Sequence, residues 1–255
     1  LWGSISFIGA SAAGGWFLAR QGSAIILPLI LAGCAAAVVA ALLLPRETPH
    51  APDTPPQRAS LRMALQLFRN RQFLLFVAAG SLLQAGHSVY HTFGTLNWQR
   101  LGIDGTVIGL LWAVGVIAEI ILFALSPRVM ARFGPASLLV LGGAAGVLRW
   151  TLTAFDPPLG VLFALQALHG FTFGAVHLGA MHFINQAVPQ HLAVTAQGVY
   201  AAISIGIVTG IVTYGSGLVY TAFDSLAFLG MAALCALGAL CALQLRRSWS
   251  GAVLN

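Results

Sequence analysis

The feature that most constrains this chain is the recurrence, along almost all of its 255 residues, of apolar windows about as long as a bilayer is thick. A helix needs about 20 apolar residues to cross a hydrocarbon core of about 30 Å, and in that core only helices or closed barrels satisfy their own backbone. Eight windows meet the length, at roughly 1–19, 24–44, 72–97, 106–126, 136–155, 158–184, 193–220 and 225–245. Continuous apolar runs rather than alternating ones argue for helices, so the expected fold is an all-α integral membrane protein with about eight transmembrane helices. Charged residues make up only 7% of the chain, which leaves little polar surface for a soluble domain.

One stretch breaks the pattern. Residues 45–71 run through Pro45, Arg46, Pro49, Pro52, Pro55 and Pro56 and then carry Arg58, Arg62, Arg69 and Arg71. This composition predicts a linker between two bundles. The chain is thereby divided into 1–44, the last two spans of an incomplete first bundle; 45–71, the linker; and 72–255, a six-helix bundle. Leu1 enters an apolar run directly, without the basic region or cleavage pattern of a signal peptide, and the expectation is that four preceding spans are missing.

Arg46, Arg58, Arg62, Arg69, Arg71, Arg128, Arg132, Arg246 and Arg247 fall on one side of this topology, and only Arg20 and Arg100 on the other. By the positive-inside rule the linker, the 126–135 loop and the C-terminus face the cytoplasm of a bacterial-type inner membrane. The net charge of +6 comes from dispersed Arg residues, and no basic, aromatic-interleaved patch supports nucleic-acid binding. Cys34, Cys235 and Cys241 lie in apolar runs without metal-site spacing and read as small buried residues. Neither a cofactor nor a metal is expected. His87 and His91 have the spacing of two metal ligands, but the Glu of a zincin motif is absent.

Polar residues inside the spans are few. Glu119 is the one charge in the run between Asp104 and Arg128, where a carboxylate costs about 2.5–3.5 kcal/mol on insertion scales. Trp112, Gly115 and Glu119 share a helical face; so do Gln84, His87 and His91 in the preceding span, with Tyr90 beside them, and Gln166, His169, Phe173 and His177 in a later one. Arg149 adds a guanidinium that stays charged at any accessible pH. Stripes of this kind are expected to converge on a cavity or on each other. Two bland readings stay open: Glu119 as a structural partner of Arg149, and Arg149 snorkelling to the interface. Trp98 and Trp150 fit an interfacial belt or a cavity rim equally well. The pairs Gly142/Gly146, Gly170/Gly174 and Gly206/Gly210 predict close helix contacts.

Six-span halves joined by a long linker are the plan of the major facilitator superfamily of secondary transporters. The segments Ser81 to His87 with Tyr90, Leu111 to Glu119, Gly146 to Trp150, and Gln166 to His169 with His177 and Leu178 resemble the 3-phenylpropionate transporter family of that superfamily, relatives of lactose permease-type proton symporters. The resemblance runs from Leu1 to the end of the chain. It implies alternating access, with a small organic acid such as an aromatic carboxylate carried together with protons across the bilayer. It implies that Glu119 and Arg149 match the binding and coupling charges of the permease type and that His177 matches its histidine; on their own chemistry Glu119, His177 and His169 are expected to couple protons, and Arg149, Gln84, His87, Tyr90, His91, Trp112, Gln166 and Phe173 to bind substrate. The chain departs from the lactose permease type in having no acidic residue on the 72–97 span and no Lys. Residues Ser126 to Gly134 resemble the superfamily's cytoplasmic turn without its usual acid. The alternatives are a sugar or nucleoside proton symporter, a non-transporting scaffold, and a membrane-embedded enzyme, for which no nucleophile or metal constellation is found.

Overall fold

A computed structural model describes residues 20–43 and 65–254 continuously, together with scattered positions before residue 20. Most of the expected 1–19 span and most of the 45–71 linker lie outside the described residues. Every regular element among those described is helical.

The first long helix, α1 (Ile26–Leu43), is uniformly apolar and has no buried residue. The second crossing is two helices, α2 (Arg71–Ala85) and α3 (Ser88–Arg100), end to end. Asn70 starts α2 by accepting hydrogen bonds at Oδ1 from the amides of Gln72 and Phe73, satisfying two of the orphan donors of a helix start. Gly102, at φ +76, ends the turn after α3, a conformation that a side chain would strain. Asp104 then caps α4 (Gly105–Ala124) through the Thr106 amide at 2.8 Å. Next come the short α5 (Ser126–Arg132) and α6 (Pro135–Thr153), each with proline in its first turn, where a missing N–H does no harm. The 126–134 segment is therefore largely a short helix rather than a turn, with Arg128 and Arg132 exposed.

The fifth crossing consists of α7 (Leu159–Ala167), a π-helical segment (Gly170–Ala175) and α8 (Val176–Ala187). After it, one apolar helical run covers 59 residues from Gln190 to Ser248. At roughly 1.5 Å per residue it would be about 89 Å long, three times a bilayer core, so it must turn back. It does so at Asp224, whose φ of +47 breaks the helix. The two crossings are α9 (Ala193–Tyr200) continued by a π segment (Ala201–Val208) and α10 (Thr209–Phe223), and then α11 (Ala227–Ser248). Seven of the eight expected crossings therefore fall within described residues, six of them in 71–248.

The core of this bundle lies where α11 packs along α6 and α2. Small residues let the backbones approach closely. A Cβ on Gly143 would sit 2.7 Å from that of Ala239, one on Gly146 would meet Cys235 Sγ at 2.6 Å, and one on Gly238 would meet Leu83. The Gly142/Gly146 and Gly170/Gly174 pairs are packed as expected. The Gly206/Gly210 pair is not: apart from the Ala201 carbonyl of its own helix, nothing lies within 4 Å of either Cβ position, because this stretch turns outward. Gly170 has a backbone neighbour, since a Cβ there would stand 2.9 Å from the Ala118 carbonyl oxygen, an atom that cannot swing aside. Gly170→Ala should therefore lower stability by about 1–3 kcal/mol, as overpacking does, while Gly160→Ala, with open space, should be neutral. Thermal unfolding in detergent, compared between the two variants, checks this.

At the Arg100 end, Asp156 in the α6–α7 loop gathers three donors: Arg100 Nη2 at 2.6 Å, Asn97 Nδ2 at 3.2 Å and the Ser225 hydroxyl at 3.1 Å. Tyr220 donates to Asn97 Oδ1 at 3.0 Å. Residues from α3, α10 and the turn before α11 are thus tied to one loop carboxylate. Trp98 and Trp150, at 1% and 0% exposure, are core residues and not part of a lipid-facing belt. Cys34 is exposed on α1, contrary to the reading of all three cysteines as buried; Cys235 is buried and Cys241 partly so.

Candidate functional site

Arg149 projects from α6 into the bundle and is wholly buried, so it does not snorkel. Its Nη1 donates to His169 Nδ1 at 3.1 Å and to Thr172 Oγ1 at 2.9 Å, and its Nη2 donates to Gln166 Oε1 at 2.8 Å. The planar group also lies over two rings, 4.7 Å from the Tyr90 centroid and 4.3 Å from that of Trp150. Among the described residues no carboxylate comes within 4 Å of it, and Nε has no hydrogen-bond partner. A guanidinium carries five N–H groups, and three are spent on neutral acceptors.

The hydrogen-bond partners dictate the tautomers. Arg149 can only donate, so His169 Nδ1 accepts, and the ring's own proton sits on Nε2. That nitrogen faces Glu119 Oε2 at 3.8 Å. Glu119 and Arg149 are therefore not a direct pair; an imidazole stands between them. His87 is fixed from the other side, because Nδ1 lies 3.2 Å from the Leu83 carbonyl, which can only accept. His87 Nε2 must then accept, and the Thr172 hydroxyl donates to it at 3.2 Å. Tyr90 donates to Gln166 Oε1 at 2.8 Å, giving that oxygen two donors. Every member has one consistent role, so the network has a single proton arrangement.

Around this cluster stand rings. His169 stacks on Phe173 at 5.4 Å and 4°, and Phe173 on His177 at 6.0 Å and 7°. This file of rings runs along the π-helical segment, whose wider turn keeps residues four apart in line. His91 stacks parallel to Trp112 at 6.1 Å, Trp112 packs 4.5 Å from Tyr90, and its indole nitrogen donates to Thr95. Gly115 makes room for His169, whose Cβ lies 3.4 Å from the Gly115 Cβ position.

Of the residues singled out from the sequence, Arg149, Gln166, His169, His87 and Tyr90 are hydrogen-bonded into one cluster. Glu119, Phe173, Trp112 and His91 border it, the last of these exposed. His177 is exposed at the far end of the ring file, away from the guanidinium. Gln84 is not brought in: no side-chain hydrogen bond joins it to the cluster. The helix breaks at Gly86 and His87, where the Gly86 amide bonds back to Leu82 and that of His87 to Gln84, so the face shared by 84, 87 and 91 in a regular helix is interrupted. Thr172 was missed. A threonine raises no alarm in an apolar helix, although its position three residues after His169 is the one signal available.

This arrangement sits in a recognisable frame. Residues 1–229 match the MFS_1 like family. The chain belongs to the MFS_1 like family. Within it, the chain is 32% identical over 220 residues to the "Probable 3-phenylpropionic acid transporter" of Escherichia coli, an alignment covering 86% of this chain and 57% of that protein. It is 28% identical over 208 residues to the maltose permease of Geobacillus stearothermophilus, covering 81% and 52%. The crystal structure of a point mutant of the nucleoside transporter NupG superposes with a TM-score of 0.75 at 20% identity, covering 96% of this chain and 66% of that one, and shows the shared fold. The chain thus spans about half the length of the curated relatives it matches. The relatives it matches are transporters and a permease and not enzymes, as the sequence reading expected.

Proposed function

We propose that this chain supplies one half of a secondary transporter that carries a small organic acid with protons, by alternating access, and that Arg149 and Glu119 divide the work. One observation carries the reading: a wholly buried guanidinium that, among the described residues, is satisfied only by neutral acceptors and has its Nε unpaired. A buried cation without a counter-ion is expensive, and a carboxylate ligand offers the two parallel hydrogen bonds it lacks. Gln166 and His169 then act as placeholders that an entering carboxylate displaces. Tyr90, Trp112, Phe173, His87 and His91 offer ring faces for the body of the ligand. The similarity to a phenylpropionic acid transporter supports an aromatic carboxylate.

Protons enter through Glu119, with His169 as the link to the anion site. While Arg149 donates to Nδ1, His169 has no place there for a second proton. When a carboxylate draws the guanidinium away, Nδ1 is freed and the imidazole can relay a proton to or from Glu119. His177, exposed on the same ring file, is the water-side end of that route. The linker and C-terminus are cytoplasmic in this reading, on the Arg distribution.

A second reading, a sugar or nucleoside symporter, draws on the neutral hydrogen-bonding groups of Gln166, Tyr90 and Thr172 and on the maltose and nucleoside relatives. Uptake by the full-length protein in vesicles, measured for phenylpropionate, its neutral amide, maltose and uridine, separates the two. Saturable uptake of the carboxylate but not of its amide is the expected result; uptake of maltose or uridine alone overturns the organic-acid reading.

A further inference from the structure

Two irregularities of the bundle face each other at Arg149: the break between α2 and α3 at Gly86 and His87, and the π-helical segment Gly170–Ala175. One side chain joins them. Thr172, buried in the π segment, accepts from Arg149 Nη1 at 2.9 Å and hydrogen-bonds His87 Nε2 at 3.2 Å, and His87 in turn holds the Leu83 carbonyl in the last turn of α2. We infer that Thr172 is a positioning residue for anion recognition: its hydroxyl, bonded on both sides, sets the guanidinium plane against Tyr90 and Trp150 and ties that plane to the break in the 71–100 crossing. The inference rests on Arg149 being the anion anchor.

The chemistry admits few substitutes. The site requires an acceptor toward Arg149 and a donor toward His87 on one atom, which a hydroxyl provides and a methyl does not. Gln166, His169 and Thr172, at spacings of three and three where α7 runs into the π segment, all reach the one guanidinium. With the hydroxyl gone, Nη1 keeps a single acceptor, His87 Nε2 loses its donor, and the guanidinium can rotate in its aromatic slot.

The test uses the full-length transporter and two near-isosteric variants. Thr172→Val keeps volume and branching and removes the hydroxyl; Thr172→Ser keeps the hydroxyl. Binding of phenylpropionate and of its neutral amide is measured by calorimetry on purified protein, with thermal unfolding as a check on folding. The expected result is that Thr172→Val weakens the carboxylate about 10-fold and leaves the amide within about twofold, since a hydrogen bond to a charged group is at stake, while Thr172→Ser binds both like the parent. In the Arg149→Ala background, Thr172→Val should cause no further loss, because its effect passes through the guanidinium. Equal weakening of acid and amide, an additive loss on top of Arg149→Ala, or an unchanged carboxylate affinity overturns the positioning role. Should Arg149→Ala alone leave the preference for acid over amide unchanged, the underlying anion site fails instead, a result distinct from failure at Thr172.

Discussion

Replacing Arg149 with Ala in the full-length transporter should weaken carboxylate binding by roughly 30-fold or more, the equivalent of the about 2–5 kcal/mol lost when one partner of a buried, hydrogen-bonded charge pair is truncated. Three acceptors lose their donor at once: His169 Nδ1, Thr172 Oγ1 and Gln166 Oε1. Arg149→Lys should rescue little, because an ammonium cannot reach the same acceptors in a planar fork or lie flat between the Tyr90 and Trp150 rings. The neutral amide of the same acid distinguishes recognition from collapse. Loss for the acid alone supports an anion anchor, whereas equal loss for both, with a lowered unfolding temperature, would make Arg149 a structural strut.

The second large effect concerns Glu119. Gln has the same size and can still accept from His169 Nε2, but it carries no proton through a cycle, so Glu119→Gln isolates coupling from packing. With one proton per substrate, a pH difference of one unit supports about tenfold accumulation, since a factor of ten corresponds to about 1.4 kcal/mol. In proteoliposomes of the full-length protein, the variant should lose this accumulation and settle near the external concentration, while exchange of labelled for unlabelled substrate continues. Tenfold uphill uptake persisting in Glu119→Gln would remove the carboxyl from the coupling step.

The crossings were legible because lipid leaves no ambiguity: a window of about 20 apolar residues has no other stable use, and each of the seven expected from residue 24 onward has its helix. The cluster was legible for the same reason in reverse. Arg149, Gln166, His169 and Glu119 are conspicuous where polarity is scarce, and their convergence follows from having nowhere else to go. What the sequence hid is where regular geometry fails. A stripe drawn at 3.6 residues per turn places Gln84 with His87, yet the helix breaks between them, and it gives no hint of the π segment from which Thr172 meets Arg149. Trp98 and Trp150 were ambiguous because an indole suits an interface as well as a core, and only the position of Arg149 decides for Trp150. Asp156 drew notice only as a loop marker. Its three partners come from positions 59, 56 and 69 residues away, a distance across which no local pattern speaks.

Those bonds at Asp156 have a mechanical meaning. They rivet the bundle at one rim, while at the opposite rim, near Arg128, Arg132 and Arg246, the described residues form no ion pair. That rim is closed instead by Phe183 against Trp249 at 4.8 Å and by the Leu254 amide donating to the Ala187 carbonyl at 2.7 Å, so one end of the bundle is held by charge and the other by apolar packing and a backbone bond.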